Sequence, residues 1–362
     1  MFRLRKIDSL IKNGIIYPLN SRKQEVKIMK RSLVIPIAVV SILLVLAGFK
    51  GVSGKVHSSP SEENVGLNSV ESPKVESRPV NIWSDGTRLS GNLFFPENIK
   101  EKSKLPAVIL CHGWGGVRSH LNQAYAPYFA AAGYVVLTFD YRGWGDSDCR
   151  LILKQKMPEW DKNGEAVVRV QAVRTLVDPV DQTEDITNCI DFIVGEPNVD
   201  TEQIGLWGTS YGGGHVLYVA AHDKRVKCIV SQVPSMDSRG IPLYLGRSPK
   251  KENTQRARGE IDPVPQGFTA FNLPGTPYVS RMANYAPVEF ASQLRIPMLV
   301  IVAEKEELMD NKVHGLLAYN RAKDNVPARH EVMKGLTHFD IYAKGRMKAI
   351  NMAVEWFNQH LK

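Results

Sequence analysis

The sequence predicts an α/β domain built on a doubly wound, mostly parallel β-sheet with helices on both faces. Two observations carry that expectation. Short uncharged runs such as "PAVILC" within 106–113 and "YVVLTF" within 134–140 have the length and continuous hydrophobicity of strands buried on both faces. Helix-like stretches separate successive runs, so strand and helix alternate through most of the chain.

In chain order, "VNIWS" and "LSGNLFF" form a hairpin around Asp85-Gly86. Between the first two buried strands, "HLNQAYAPYFAAAG" (120–133) reads as one helix ending at Gly133. "IGLWGTS" (204–210), "VKCIVSQV" (226–233), "PMLVIVAE" (297–304) and "RHEVMKG" (329–335) continue the strands. Helices are expected at about 181–195, 212–222, 310–323 and 345–360. Residues 147–178 and 236–292 exceed ordinary α/β connections and are read as insertions, lids or substrate loops.

Upstream the character changes. Residues 1–28 form a basic extension, and 29–50 hold the uncharged run "LVIPIAVVSILLVLAGF" (33–49) behind Lys27, Lys30 and Arg31. Seventeen such residues suit either a signal peptide or a minimal membrane anchor, with the basic flank on the cytoplasmic side. Both readings export the rest, to the periplasm or the outside, cleaved or membrane-anchored through 33–49. Residues 51–78, with seven serines and few large apolar side chains, are a solvated linker, which leaves 79–362 as the folded α/β domain.

The formal net charge is +9, but residues 1–31 carry nine Lys or Arg against two acids, so only +2 remains downstream. The domain therefore offers no basic stripe, and nucleic acid is not an expected partner. Four cysteines, Cys111, Cys149, Cys189 and Cys228, show no metal spacing and are expected to be mostly free thiols.

The chemistry centres on "GTSYGGG" (208–214), where Gly208-Thr209-Ser210-Tyr211-Gly212 fits G-x-S-x-G between a strand and a helix. Such a turn lifts a serine hydroxyl above the sheet as a nucleophile. Ser210 then needs a base, and of nine histidines His338 in "GLTHFDIY" follows the last strand at the sheet's carboxyl edge. A carboxylate must orient that imidazole; "VAEKEELMD" (302–310) offers Glu306, three residues past Ala303, with Glu304 as the alternative. For a developing oxyanion, the Tyr211 N–H follows the nucleophile, and "HGWGG" (112–116) presents the N–H of Trp114. The His112 imidazole is expected to tie down that loop. Gly113 to Arg118 lacks the third glycine of a dinucleotide fingerprint, and neither G-K-[ST] nor H-E-x-x-H occurs, so no cofactor or metal is called for.

Strand-HGWGG, "FDYRGWGDSD", GTSYGGG, an acid after the next-to-last strand and a late GLTHF together resemble the α/β-hydrolase superfamily over residues 79–362. More narrowly they resemble its dienelactone-hydrolase-like and serine-aminopeptidase-like hydrolases and acyltransferases. Two departures stand out: dienelactone hydrolases use cysteine where this chain has Ser210, and the family's acid is usually aspartate. The expected activity is hydrolysis of a small-molecule carboxylic ester through an acyl-enzyme, with acyl transfer or peptide cleavage, or a non-catalytic binding role, as alternatives. Tyr244, Phe268, Phe271, Tyr278 and Tyr285 are candidates for lining an acyl or aryl pocket.

Overall fold

Among the described residues the first two strands are β1 (Val75–Ser84) and β2 (Thr87–Pro96), an antiparallel hairpin turned by Asp85 and Gly86, both at positive φ. That is the backbone a two-residue hairpin turn needs. The computed structural model describes residues 73–99 and 103–362. The basic extension, the apolar run and most of the linker lie outside these described residues.

Then come β3 (Leu105–Cys111), α1 (Arg118–Ala124), α2 (Ala126–Ala131) and β4 (Val135–Phe139). The single helix expected at 120–133 is in fact two. Pro127 occupies the first turn of α2 and cannot donate to the preceding turn, so the helix breaks at Tyr125. The chain continues through β5 (Arg150–Leu153), β6 (Val170–Val173), β7 (Leu176–Val177), α3 (Pro179–Val194), β8 (Val199–Thr209), α4 (Tyr211–His222) and β9 (Val226–Gln232). The second insertion holds α5 (Ile241–Tyr244), α6 (Pro249–Ala257), β10 (Thr276–Pro277), α7 (Val279–Met282) and a 3-10 turn at Pro287–Gln293. β11 (Met298–Lys305), α8 (Gly315–Ala322), β12 (Ala328–Thr337), a 3-10 turn at Asp340–Tyr342 and α9 (Arg346–His360) complete the chain. Helix α8 starts later than expected because residues 310–314 form a turn ahead of it.

Eight strands form one sheet in the order β1-β2-β4-β3-β8-β9-β11-β12, parallel from β4 to β12. Alternate side chains feed two cores. Ile109 and Cys111 pack with Ile186 and Ile190 of α3 and Val216 of α4 on one face. Val108 and Leu110 pack with Phe129 of α2 and Phe357 of α9 on the other. Burial on both faces is why these strands read as unbroken apolar runs.

Sheet order places the site. The chain leaves β3 for β4 on one side and later returns to β8 on the other, so loops after β3 and β8 diverge from one point at the carboxyl edge. Cys111 pairs with Gly208 in that register, which sets the turns 112–116 and 208–214 side by side.

The two insertions are partly ordered by each other. β5 and β6 form an antiparallel ribbon, and β7 pairs in parallel with β10 over two residues.

Candidate active site

Ser210 follows β8 with φ 54° and ψ −120°, a strained conformation that costs on the order of 1–3 kcal/mol for a residue with a side chain. Three backbone bonds hold it there. Its N–H donates to Gln232 O at 2.8 Å, and its carbonyl accepts from Gly213 N at 3.0 Å and Ser235 N at 2.9 Å. Two glycines make the bend sterically possible: a Cβ on Gly208 would lie 2.2 Å from Gly212 O, and one on Gly212 would lie 2.4 Å from Cys111 O. The serine keeps 9% of its surface open.

His338 follows β12. Its Nδ1 lies 2.9 Å and 3.0 Å from the two carboxylate oxygens of Glu306, both side chains nearly sealed from solvent. An Nδ1–H donated to Glu306 leaves Nε2 as the basic nitrogen. A register shift in the β11–β12 pair makes this contact: Ala303 pairs with Met333 but Lys305 pairs with Thr337, so Glu306 and His338 leave the sheet as neighbours. Glu307 joins in, accepting from the His338 backbone N–H at 2.7 Å, and Glu306 also accepts from Leu308 N at 3.0 Å. Glu304, the alternative acid, faces outward to Lys334 Nζ at 2.9 Å and Gly335 N at 2.8 Å.

Ser210 and His338 line one cavity of about 350 Å³ together with Trp114 and Leu308. On the other side of the serine a cleft of about 210 Å³ shares Trp114, Ser210 and Leu308 as its wall. Tyr211 is the first residue of α4, whose opening N–H groups have no intrahelical acceptor. Among the described residues neither the Trp114 nor the Tyr211 N–H is taken up by a backbone acceptor. The Trp114 indole is tied to the second insertion through Nε1 to Pro274 O at 3.1 Å. Asp140 braces the turn before α1, accepting from Arg118 N at 2.7 Å and Asp146 N at 3.1 Å.

His112 has its Nδ1 3.0 Å from Gly113 O and its ring edge against Tyr141. Burial drives its pKa down to about 4, so it stands neutral at neutral pH. The five aromatic candidates separate. Tyr244 and Phe271 line the smaller cleft. Phe268 lies under the Arg247 guanidinium, Tyr278 under that of Arg281, and Tyr285 is buried against His215, so these three face other partners.

One neighbour of the serine escaped the sequence reading. The Tyr342 hydroxyl lies 2.8 Å from Thr209 Oγ1 and beside Ser210, with burial pushing its phenol up and the Thr209 bond opposing. Its position four residues after His338 was the available signal, since that spacing returns a side chain to the same face of a helical turn. Among the described residues no group of three or more His, Cys, Asp or Glu is arranged to hold a metal ion.

Residues 178–362 match the family model described as the prolyl oligopeptidase family, and residues 85–258 match that of the X-Pro dipeptidyl-peptidase (S15) family. The chain belongs to the prolyl oligopeptidase family, within the α/β-hydrolase superfamily. This serine hydrolase is 30% identical over 291 residues to an uncharacterized 31.7 kDa protein of the traX-finO intergenic region from Escherichia coli, covering 71% of this chain and 92% of that one. Its fold is similar to that of the hypothetical protein PA2218 from Pseudomonas aeruginosa, with TM-score 0.59 at 20% identity over 80% of this chain and 94% of that one. It is also similar to the α/β hydrolase GrgF from Penicillium sp. sh18, with TM-score 0.58 at 19% identity over 79% and 99% of the two chains.

Proposed function

We propose that this serine hydrolase cleaves carboxylic esters through an acyl-enzyme. Ser210 attacks the acyl carbonyl and passes its proton to His338 Nε2, while Glu306 stabilises the imidazolium. The Trp114 and Tyr211 N–H groups receive the oxyanion. His338 then protonates the leaving alkoxide, and water drawn by the same base releases the acid. The supporting observation is the buried Glu306–His338 pair at 2.9 Å opening on the cavity that contains Ser210. Esters are favoured over amides because alkoxides leave more readily than amines.

The test is labelling of Ser210 by a fluorophosphonate together with turnover of short 4-nitrophenyl esters. Ser210→Ala should abolish labelling and reduce kcat by about 10⁶-fold; turnover undiminished in that variant sinks the proposal. A second reading, peptide cleavage at the same serine, draws on the peptidase families that the chain matches. Faster release from aminoacyl-proline amides than from the matched ester would favour it.

The proposal extends to location. The apolar run 33–49 behind Lys27, Lys30 and Arg31 supports a catalytic domain outside the cytoplasm. Fractionation of cells making the full chain checks this, and recovery in the cytosol alone overturns it.

A further inference from the structure

The smaller cleft beside Ser210 is walled largely by apolar side chains, among them Ile241, Tyr244, Phe271, Leu273 and Met309. Two polar groups interrupt that wall, Asp237 and His314. His314 Nδ1 accepts from the Met236 N–H at 2.9 Å, so that nitrogen carries no proton and Nε2 bears the ring hydrogen. Burial holds the imidazole below its ordinary pKa, with the charge of Asp237 opposing. Among the described residues Nε2 has no partner, and it is not sealed from solvent. It is an unused donor on the cleft.

Asp237 supplies the complementary group. Its Oδ1 accepts from Arg239 N at 2.9 Å and Nε at 3.0 Å, and its Oδ2 accepts from Nη2 at 2.6 Å and shares the Nε proton at 3.1 Å. Three Arg239 protons, one of them shared between both oxygens, meet about four lone-pair positions, so the carboxylate can still accept one more. Arg239 also neutralises the charge, which removes most of the attraction for an ammonium group. A carboxylate would be repelled. A neutral group that accepts and donates at one atom fits both partners.

We propose that His314 and Asp237 form a subsite for a hydroxyl on the acyl portion of the substrate, Nε2–H donating to its oxygen and its hydrogen bonding to Asp237. The substrates are then esters of hydroxylated acids. This rests on the ester reading above and adds the acyl class. An acid lacking the hydroxyl leaves both polar groups unpaired in a largely apolar cleft, which is what produces discrimination.

The test compares 4-nitrophenyl hexanoate with its 2-, 3- and 5-hydroxy analogues. At least one analogue should show kcat/KM about tenfold above hexanoate, the scale of one partly buried hydrogen-bond pair. His314→Phe and Asp237→Asn should each lower that ratio toward one. His314→Gln should retain most of it, because its amide offers an acceptor for Met236 and a donor for the cleft; Asp237→Asn carries the test if the phenylalanine variant fails to fold. No preferred analogue, or a ratio unchanged in His314→Phe, overturns the subsite. Failure of the ester reading looks different: hexanoate itself is not turned over. In that event, protection of Ser210 from fluorophosphonate by free hydroxyhexanoates reads the subsite alone, and protection no better than by hexanoate overturns it.

Discussion

At the carboxyl edge of the sheet the site residues are held by several bonds each: Ser210 by three main-chain bonds, and His338 by the carboxylates of Glu306 and Glu307. The insertions flanking the cleft are joined more loosely, by the two-residue pairing of β7 with β10 and by ion pairs of Arg281 with Asp178 and Asp181. The first arrangement tolerates almost no displacement, which catalysis demands, because misplaced donors or bases lose their advantage steeply. The second rests on a short strand pairing and on ion pairs in which a partly exposed Arg281 reaches the buried Asp178 and Asp181. On the function proposed above, chemistry falls in the first region and recognition in the second.

Four outcomes break or sharpen this contrast. The largest is Glu306→Gln, which should lower kcat for ester hydrolysis by about 10⁴-fold through the wrong imidazole tautomer. Glu304→Gln, two residues away but turned to Lys334, should stay within about twofold; equal losses would end the assignment of the acid.

Next is Gly212→Ala, whose Cβ meets the backbone carbonyl of Cys111. About 3 kcal/mol of stability should be lost in chemical denaturation. Gly240→Ala in the second insertion has nothing within 4 Å of its Cβ and should change stability by less than about 1 kcal/mol. Similar losses at both sites would erase the difference in rigidity.

The two regions also respond oppositely to acid. Burial lowers His112 to about 4 and His215 to about 3. The unfolded chain therefore binds more protons than the folded one below about pH 6.5, and the edge loses stability as pH falls from there toward 4. Burial, helped by the Asp181 charge and opposed by Arg281, raises Asp178 to about 6. Here the folded state binds the extra proton, so this carboxyl costs stability as pH rises from about 4 through 6. The stability of wild type minus that of Asp178→Asn should fall by about 2 kcal/mol over that interval, measured by urea denaturation. A constant or growing difference refutes it.

The smallest effect is chemical. Cys111, Cys189 and Cys228 are buried with thiol pKa values pushed up, whereas Cys149 in the first insertion is partly exposed. A thiol reagent should titrate one group quickly under native conditions. Fast reaction of a second thiol would mean that the sheet opens as readily as the insertions.

The core strands and the bend at Ser210 were legible because they depend on local pattern: continuous apolar runs, and glycines on both sides of one serine. The break at Tyr125 was missed although Pro127 signals it, because the apolar spacing continues on either side. The aromatic candidates divided because a phenyl ring looks the same in sequence whether it meets a guanidinium, a core histidine or a cleft. His314 falls inside the helix expected at about 310–323; the turn that precedes α8 instead places it on the cleft.

By itself the sequence determined which residues have nucleophilic, basic and acidic capacity, and on which strands they end, since hydrophobic period and backbone strain are properties of neighbours along the chain. Which glutamate meets the imidazole, and which polar groups share the cleft, was decided only by the folded molecule. The reason is the register shift between β11 and β12: it changes which residues face each other across two strands, and no spacing within either strand records it.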